Sequence, residues 1–339
     1  MITTIELYYM PLVSIGKIKS SFSIQRKSSR MRFDFRRKVL VCLLTIFIYT
    51  LFIHLNYNKF ENVPLETTIS HEITITPTIF VITPTYQRNE QLADLTRMGQ
   101  TLMHDENIFW IVVEDSDTKS GLVQRLLERI GPHLAGYVQL ATPTVEKQNP
   151  NLKTHQDISR GGHQRNIALK WISENQQQLE QKSHGKAYIY FADDDNSYDI
   201  RLFDKIRRVK NIGIWPVGLI ARSLYEGPIC DPTNSFITGW RSNYMPERFC
   251  CCDMASFAFS LQFYLEAKDV FFDVTLTGTM EDDFLKRLVF HDRPMPVNAT
   301  EALTYLEPIV CNEILVWHTR TKKTVLGWED LFVRTITDV

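Results

Sequence analysis

Apolar and polar positions alternate between short buried runs and amphipathic stretches. Residues 78–83, 108–113 and 187–192 are almost continuously apolar, aromatic or β-branched. That is the length and composition of strands covered on both faces in a parallel sheet. Helices are expected at 91–103, 120–130, 166–179, 200–209 and 281–288. The second carries Leu122, Leu126, Leu127 and Ile130 on one face and stops at Gly131-Pro132; the third carries Ile167, Ala168, Trp171 and Ile172. Residues 213–221 read as a strand made irregular by Pro216, 257–261 as a core segment, and 313–317 as a last strand. Strand and helix in alternation are the grammar of an α/β fold with parallel strands and right-handed crossovers.

The chain is organised around residues 186–195, where an apolar run ends abruptly in Asp193, Asp194 and Asp195. Ligands of open α/β sheets bind beyond the carboxyl ends of the strands, where these aspartates fall. Two carboxylates about 4 Å apart repel by roughly 4 kcal/mol at an effective dielectric near 20. Solvent, a bound proton or a hard cation must relieve that repulsion. An acidic turn capping the next helix is the competing reading. An EF-hand fits less well: Tyr198 stands where its glycine belongs and Asp204 where its glutamate belongs.

Other strand exits carry chemistry of their own. Residues 84–88 place a proline, a hydroxyl, the Tyr86 ring and Arg88 after the first strand, and Glu114-Asp115 follow the second. Arg160, Gly161, Gly162 and Arg165 surround a helix start that suits an anion. His318 and Arg320 follow the last strand, and Glu281, Asp282 and Asp283 open a helix whose dipole they complement. Each has an ordinary alternative: a turn, surface ion pairs, a structural histidine, a charged first turn.

Length and charge narrow the class. The 339 residues, 44% hydrophobic, can bury the core of one large domain or two smaller ones, and a net charge of −1 gives no global case for nucleic acid. The basic residues crowd the start, with nine Lys and Arg between positions 17 and 38, directly before an uncharged apolar run at 39–55. No small-residue cleavage site follows, so the run reads as a signal anchor with its basic flank cytosolic. Residues 1–38 are then a cytosolic tail, 39–55 the transmembrane helix, 56–75 a luminal stem and 76–339 a globular domain. Cys230, Cys250, Cys251, Cys252 and Cys311 lie beyond the run, an odd number that leaves one thiol unpaired within the chain. Asn298-Ala299-Thr300 is an N-glycosylation sequon for a luminal protein.

Taken together, Pro84 to Arg88, Val113-Glu114-Asp115, Arg160 to Asn166, Phe191 to Asn196, Tyr225-Glu226-Gly227-Pro228, Asp253-Met254-Ala255, Glu281 with Phe284-Leu285, and Val316 to Thr321 resemble the Golgi β-1,3-glucuronosyltransferases over most of residues 78–321. The resemblance implies a GT-A-type fold, a mostly parallel central sheet with flanking helices in which a UDP-sugar half (76–196) and an acceptor half (197–339) share one continuous sheet. It implies a UDP-glucuronate donor, Mn²⁺ (with Mg²⁺ as the alternative), inversion at the anomeric carbon, a galactose-terminated glycan acceptor such as the proteoglycan linker, and a homodimer in the Golgi membrane with single-pass type II topology. By motif, Pro84, Thr85, Tyr86, Asp115, Arg160 and Arg165 hold UDP; Asp193 and Asp194 touch ribose or donor sugar. Asp195 is the metal ligand, and His318 and Arg320 meet the diphosphate and donor sugar. Glu226, Arg248 and Asp253 bind acceptor, and Glu281 is the catalytic base. The pattern departs from the family at Ser256, at the Cys250–Cys252 run and at Asp282-Asp283, all on the acceptor side. A catalytically silent binding relative, or the same machinery with another acceptor or UDP-sugar, is the alternative.

Overall fold

The computed structural model describes residues 38, 40–41, 43–52, 76–143, 161–182, 185–233 and 235–322. The chain forms two compact units, Met1–Ile73 and Thr74–Val339. In the first, the described residues between 38 and 52 are helical and their side chains exposed. Among the described residues no helix is long and apolar enough to cross a membrane. Residues 39, 42 and 53–55 of the expected anchor, and the stem up to residue 75, lie outside the described residues.

The second unit is an α/β fold with two sheets. The larger has seven strands: β1 (Thr78–Thr85), β2 (Ile108–Glu114), β3 (Gly136–Ala141), β4 (Ala187–Phe191), β6 (Ile212–Ile214), β10 (Phe257–Ser260) and β11 (Glu307–Pro308), in the order β11-β6-β10-β4-β1-β2-β3. All its pairings are parallel except those of β10, which runs antiparallel to both β4 and β6. The smaller orders β5 (Ser197–Tyr198), β12 (Val316–Trp317), β7 (Val217–Gly218), β8 (Tyr225–Cys230) and β9 (Ile237–Arg241) side by side.

Period-two alternation sorts the large sheet's side chains onto two buried faces. Phe80, Ile82, Phe109, Ile111, Ile189 and Phe191 face one core, covered by α3 (Gly162–Glu174) through Ala168, Leu169 and Ile172 and by α7 (Met280–Val289) through Phe284, Leu285 and Leu288. Ile79, Val81, Trp110, Val112, Tyr188 and Tyr190 face the other. There α1 (Gln91–Leu102), α2 (Gly121–Ile130) and α5 (Arg201–Ile206) pack through residues such as Leu95, Leu126 and Phe203. Ser120 caps α2 by accepting the Val123 N–H at 3.3 Å.

The structure departs from the sequence reading at four points. The single continuous sheet is two sheets. Pro216 has no N–H for a ladder, and the expected 213–221 strand breaks there, giving β6 to the first sheet and β7 to the second. The expected 166–179 helix starts at Gly162 and is interrupted at Asn175, whose side-chain amide bonds back to the Trp171 carbonyl at 2.8 Å before α4 (Gln176–Lys182) begins. Of residues 313–317 only Val316–Trp317 pair as a strand, and β3, an edge strand with mixed polarity, carried no clear signal. Cys230–Cys311 and Cys250–Cys252 are disulfides, and Cys251 is the free, buried thiol.

Candidate active site

Register brings the triple aspartate to the end of β1. Ile82 pairs with Phe191, and the Ala192 N–H continues the ladder onto the Ile82 carbonyl at 2.9 Å. Two residues further on, Asp194 lies beside Thr85, whose hydroxyl donates to Asp194 Oδ2 at 2.6 Å. The other oxygen, Oδ1, meets the Arg88 guanidinium at 2.9 Å. Burial raises the Asp194 pKa, although the bonds from Arg88 and Thr85 pull it down. Burial works to lower the Arg88 pKa, and the bonds and charges of Asp194 and then Asp94 more than reverse it. Beside this knot Tyr86 is half-exposed, its ring 4.6 Å from the Arg88 guanidinium, and the Asp115 N–H donates to the Thr85 carbonyl at 2.7 Å.

Gly161 sits at φ 75° and starts α3 from a left-handed conformation, which suits a residue without Cβ. A Cβ there would lie 2.6 Å from Arg165 Nη1. Arg165, buried in the first turn, forms an ion pair with Asp193. Arg160 lies outside the described residues. Arg165 and Arg88 thus answer two of the three aspartates. Asp195 has no ion-pair partner among the described residues, and burial, then Asp194 and Asp193, lift its pKa to about 6.

The second sheet delivers the last cations. β5 leaves the aspartates and runs antiparallel to β12, pairing Ser197 with Trp317. The segment after β12 is therefore laid beside Asp195, and the Thr319 hydroxyl donates to the Asp195 carbonyl at 2.5 Å. His318 and Arg320 flank Thr319 and are exposed. Because β10 is antiparallel to β4, its beginning rather than its end lies at this edge. Asp253 stands just before β10, accepts the Ala255 N–H at 2.9 Å, and has His318 Nδ1 3.7 Å from its carboxylate. Burial and the nearby Asp193 raise its pKa against His318 and Arg165.

Glu226, buried on β8, accepts the Asn243 N–H at 2.6 Å and the Ser242 hydroxyl at 3.1 Å. Arg248 is half-buried, stacks 5.1 Å from the Tyr244 ring and reaches the Gly278 carbonyl at 3.4 Å. Gly278 (φ 74°) turns the chain into α7. There the acidic first turn divides: Asp282 accepts the Cys250 N–H and pairs with Lys286, and Asp283 pairs with Arg287. Glu281 makes no ion pair among the described residues. Burial raises its pKa to about 7, with Asp253 adding and Arg165 and Arg248 opposing. Asn298 is exposed and caps α8 (Ala299–Leu303) by accepting the Thr300 N–H at 2.9 Å.

Among the described residues no three His, Cys, Asp or Glu side chains converge as a metal cage. The donor set nevertheless fits a divalent ion of the kind bound through one or two carboxylates and substrate phosphates. Asp195 is the carboxylate of the three that has no ion-pair partner among the described residues, and it stands beside two others. Sequence reasoning missed Arg88 as the partner of Asp194. The signal was available: a carboxylate bound for a strand end beside other carboxylates needs a cation, and Arg88 follows the neighbouring strand.

The family model described as glycosyltransferase family 43 matches residues 98–322. The galactosylgalactosylxylosylprotein 3-beta-glucuronosyltransferase 1 of Homo sapiens is 37% identical over 254 residues, 74% of this chain and 71% of its own. A Caenorhabditis elegans relative of the same enzyme name is 38% identical over 76% of this chain and 67% of its own. One from Drosophila melanogaster is 31% identical over 88% and 94%. Among solved structures, a Pyrobaculum calidifontis mannosyltransferase in complex with GDP-Man and Mn²⁺ shares 15% identity at a TM-score of 0.36, over 78% of this chain and 69% of its own. That likeness is too slight to argue from.

Proposed function

The chain belongs to glycosyltransferase family 43, and from that premise we propose that it is an inverting β-1,3-glucuronosyltransferase. It moves glucuronate from UDP-glucuronate to the terminal galactose of a glycan acceptor, the proteoglycan linker. One observation carries the reading: relatives from three animals, each at least 31% identical, are named for this transfer onto a galactosylgalactosylxylosyl protein. The α/β architecture supports a GT-A organisation, with 76–196 as the donor half and 197–339 as the acceptor half.

In this reading Tyr86 faces the base, and Pro84, Thr85, Asp115, Arg160 and Arg165 frame the nucleotide. Asp193 and Asp194 border ribose and donor sugar. Asp195 holds Mn²⁺, which when bound neutralises charge on the departing diphosphate. His318 and Arg320 supply fixed cations at the same place. Glu226, Arg248 and Asp253 orient the acceptor. Glu281 takes the proton from the galactose 3-hydroxyl as its oxygen attacks the anomeric carbon opposite UDP, so a single base suffices. The basic flank and apolar run support a type II Golgi anchor at 39–55. The exposed Asn298 supports glycosylation there, and a homodimer completes the proposal.

The test incubates the full-length protein with labelled UDP-glucuronate, Mn²⁺ and galactose-terminated acceptors, beside a panel of other UDP-sugars. Transfer of glucuronate alone is expected. Label on no acceptor despite donor binding points to a silent relative, and transfer of another sugar overturns the donor. Asp195→Asn is expected to reduce transfer by roughly 10²-fold, the scale for removing a fixed electrostatic contact to developing charge. It should also raise the Mn²⁺ concentration needed for half-maximal rate. An unchanged metal requirement in that variant removes Asp195 as ligand.

A further inference from the structure

One buried carboxylate has no place in the chemistry described so far. Asp94, in the first turn of α1, is 1% exposed. Its Oδ2 accepts from Arg88 Nη2 at 2.8 Å. Its Oδ1 accepts the Thr321 hydroxyl at 2.5 Å and lies 3.2 Å from Arg97 Nη2. Arg88 passes the contact to Asp194, and Gln91, on the same helix, donates to Thr85 Oγ1 at 3.2 Å. Asp94 therefore stands behind the Arg88–Asp194 pair, one step removed from the triple aspartate.

The Thr321 bond gives this carboxylate a second client. Thr321 ends the short segment His318-Thr319-Arg320-Thr321, which leaves the smaller sheet at β12. That segment is fastened through alternate residues: Thr319 to the Asp195 carbonyl at 2.5 Å, Thr321 to Asp94. The Thr319 N–H also donates to the Trp317 carbonyl at 2.9 Å, so the chain turns at His318 as it leaves the strand. Both threonines are fastened, whereas His318 and Arg320 on either side of Thr319 are exposed. Arg88 and Thr321 come from opposite ends of the larger unit and meet at the Asp94 carboxylate.

We propose that Asp94 is a positioning residue for the donor: through Thr321 it holds the 318–321 segment against the nucleotide half so that Arg320 is presented to the diphosphate, and through Arg88 it fixes Asp194. The proposal rests on the transferase reading of this site. A charged acceptor suits both tasks, since a carboxylate bonds a hydroxyl and a guanidinium at once and its bonds are stronger than those of a neutral group.

The experiment uses the full-length protein with UDP-glucuronate, UDP and Mn²⁺. Wild type is measured first; absence of transfer by wild type counts against the function, not against this role. Thr321→Val keeps the shape, and Asp94 keeps its ion pairs with Arg88 and Arg97, so the variant should fold with at most a small drop in its thermal midpoint. Its KM for UDP-glucuronate and its Kd for UDP should rise about tenfold, the usual range for one hydrogen bond to a charged group, with the acceptor KM unmoved. Thr321→Ser should restore both constants. Asp94→Asn should raise the donor KM by at least as much, and adding Thr321→Val to it should bring little further loss. A normal donor KM in Thr321→Val, equal effects on donor and acceptor, or full additivity of the two substitutions overturns the role while wild-type transfer leaves the function intact.

Discussion

Glu281→Gln is expected to lower the transfer rate by roughly 10²–10⁴-fold, the usual contribution of a positioned general base, with UDP binding preserved. The amide is nearly isosteric and cannot accept the hydroxyl proton. The same residue sets the pH profile. Its pKa is pushed up from the ordinary carboxylate range to about 7, burial being the main cause. The working form is the deprotonated one, so the rate should climb as pH rises through about 7 and level off above it. Below that point it should fall about tenfold per pH unit, as the ionised fraction does. Rate against pH in wild type and in Glu281→Gln checks both statements. A full rate in the variant, or a wild-type profile flat between pH 5 and 8, removes Glu281 as base.

The second large effect is on stability. Phe284 is fully buried three residues after Glu281. Its ring stacks on Phe272 at 4.1 Å between centroids, and Phe259 and Phe191 stand at 5.7 and 6.1 Å. Phe284→Ala should cost about 3–5 kcal/mol, the range for emptying such a site. That is a large part of the 5–15 kcal/mol or so that holds a typical domain folded. Phe284→Leu, which refills most of the space, should cost clearly less. Denaturant midpoints with unchanged slopes would show it; an Ala variant within about 1 kcal/mol of wild type would mean the core relaxes around the gap.

The buried strands were legible because β1, β2 and β4 are covered on both faces and so read as unbroken apolar runs. The triple aspartate was legible because charge does not normally follow such a run without a reason. What stayed hidden was long-range pairing. Nothing near Pro216 says that the next strand joins a different sheet. No local pattern marks β10 as antiparallel, yet that direction is what places Asp253 near His318. Two acidic trios, residues 193–195 and 281–283, look alike in sequence. In each, two carboxylates are matched by nearby partners and one is left over: Asp195 and Glu281. The partners Arg88 and Arg165 lie 106 and 28 positions from the aspartates they answer, beyond the reach of any window along the chain.

The bridge between Cys230 and Cys311 closes a span of 81 positions and fastens the end of β8 to the approach to β12. One end of that staple carries β8 with the buried Glu226, the other the run that leads to His318. A host that keeps its thiols reduced is therefore a poor source of the working protein, because stapling needs an oxidising compartment. Cys251, a spare sulfur between two half-cystines, adds a risk of scrambling whenever the chain is opened in the presence of reductant. Recombinant material is best made through a secretory route and kept free of thiol reagents until its activity has been measured.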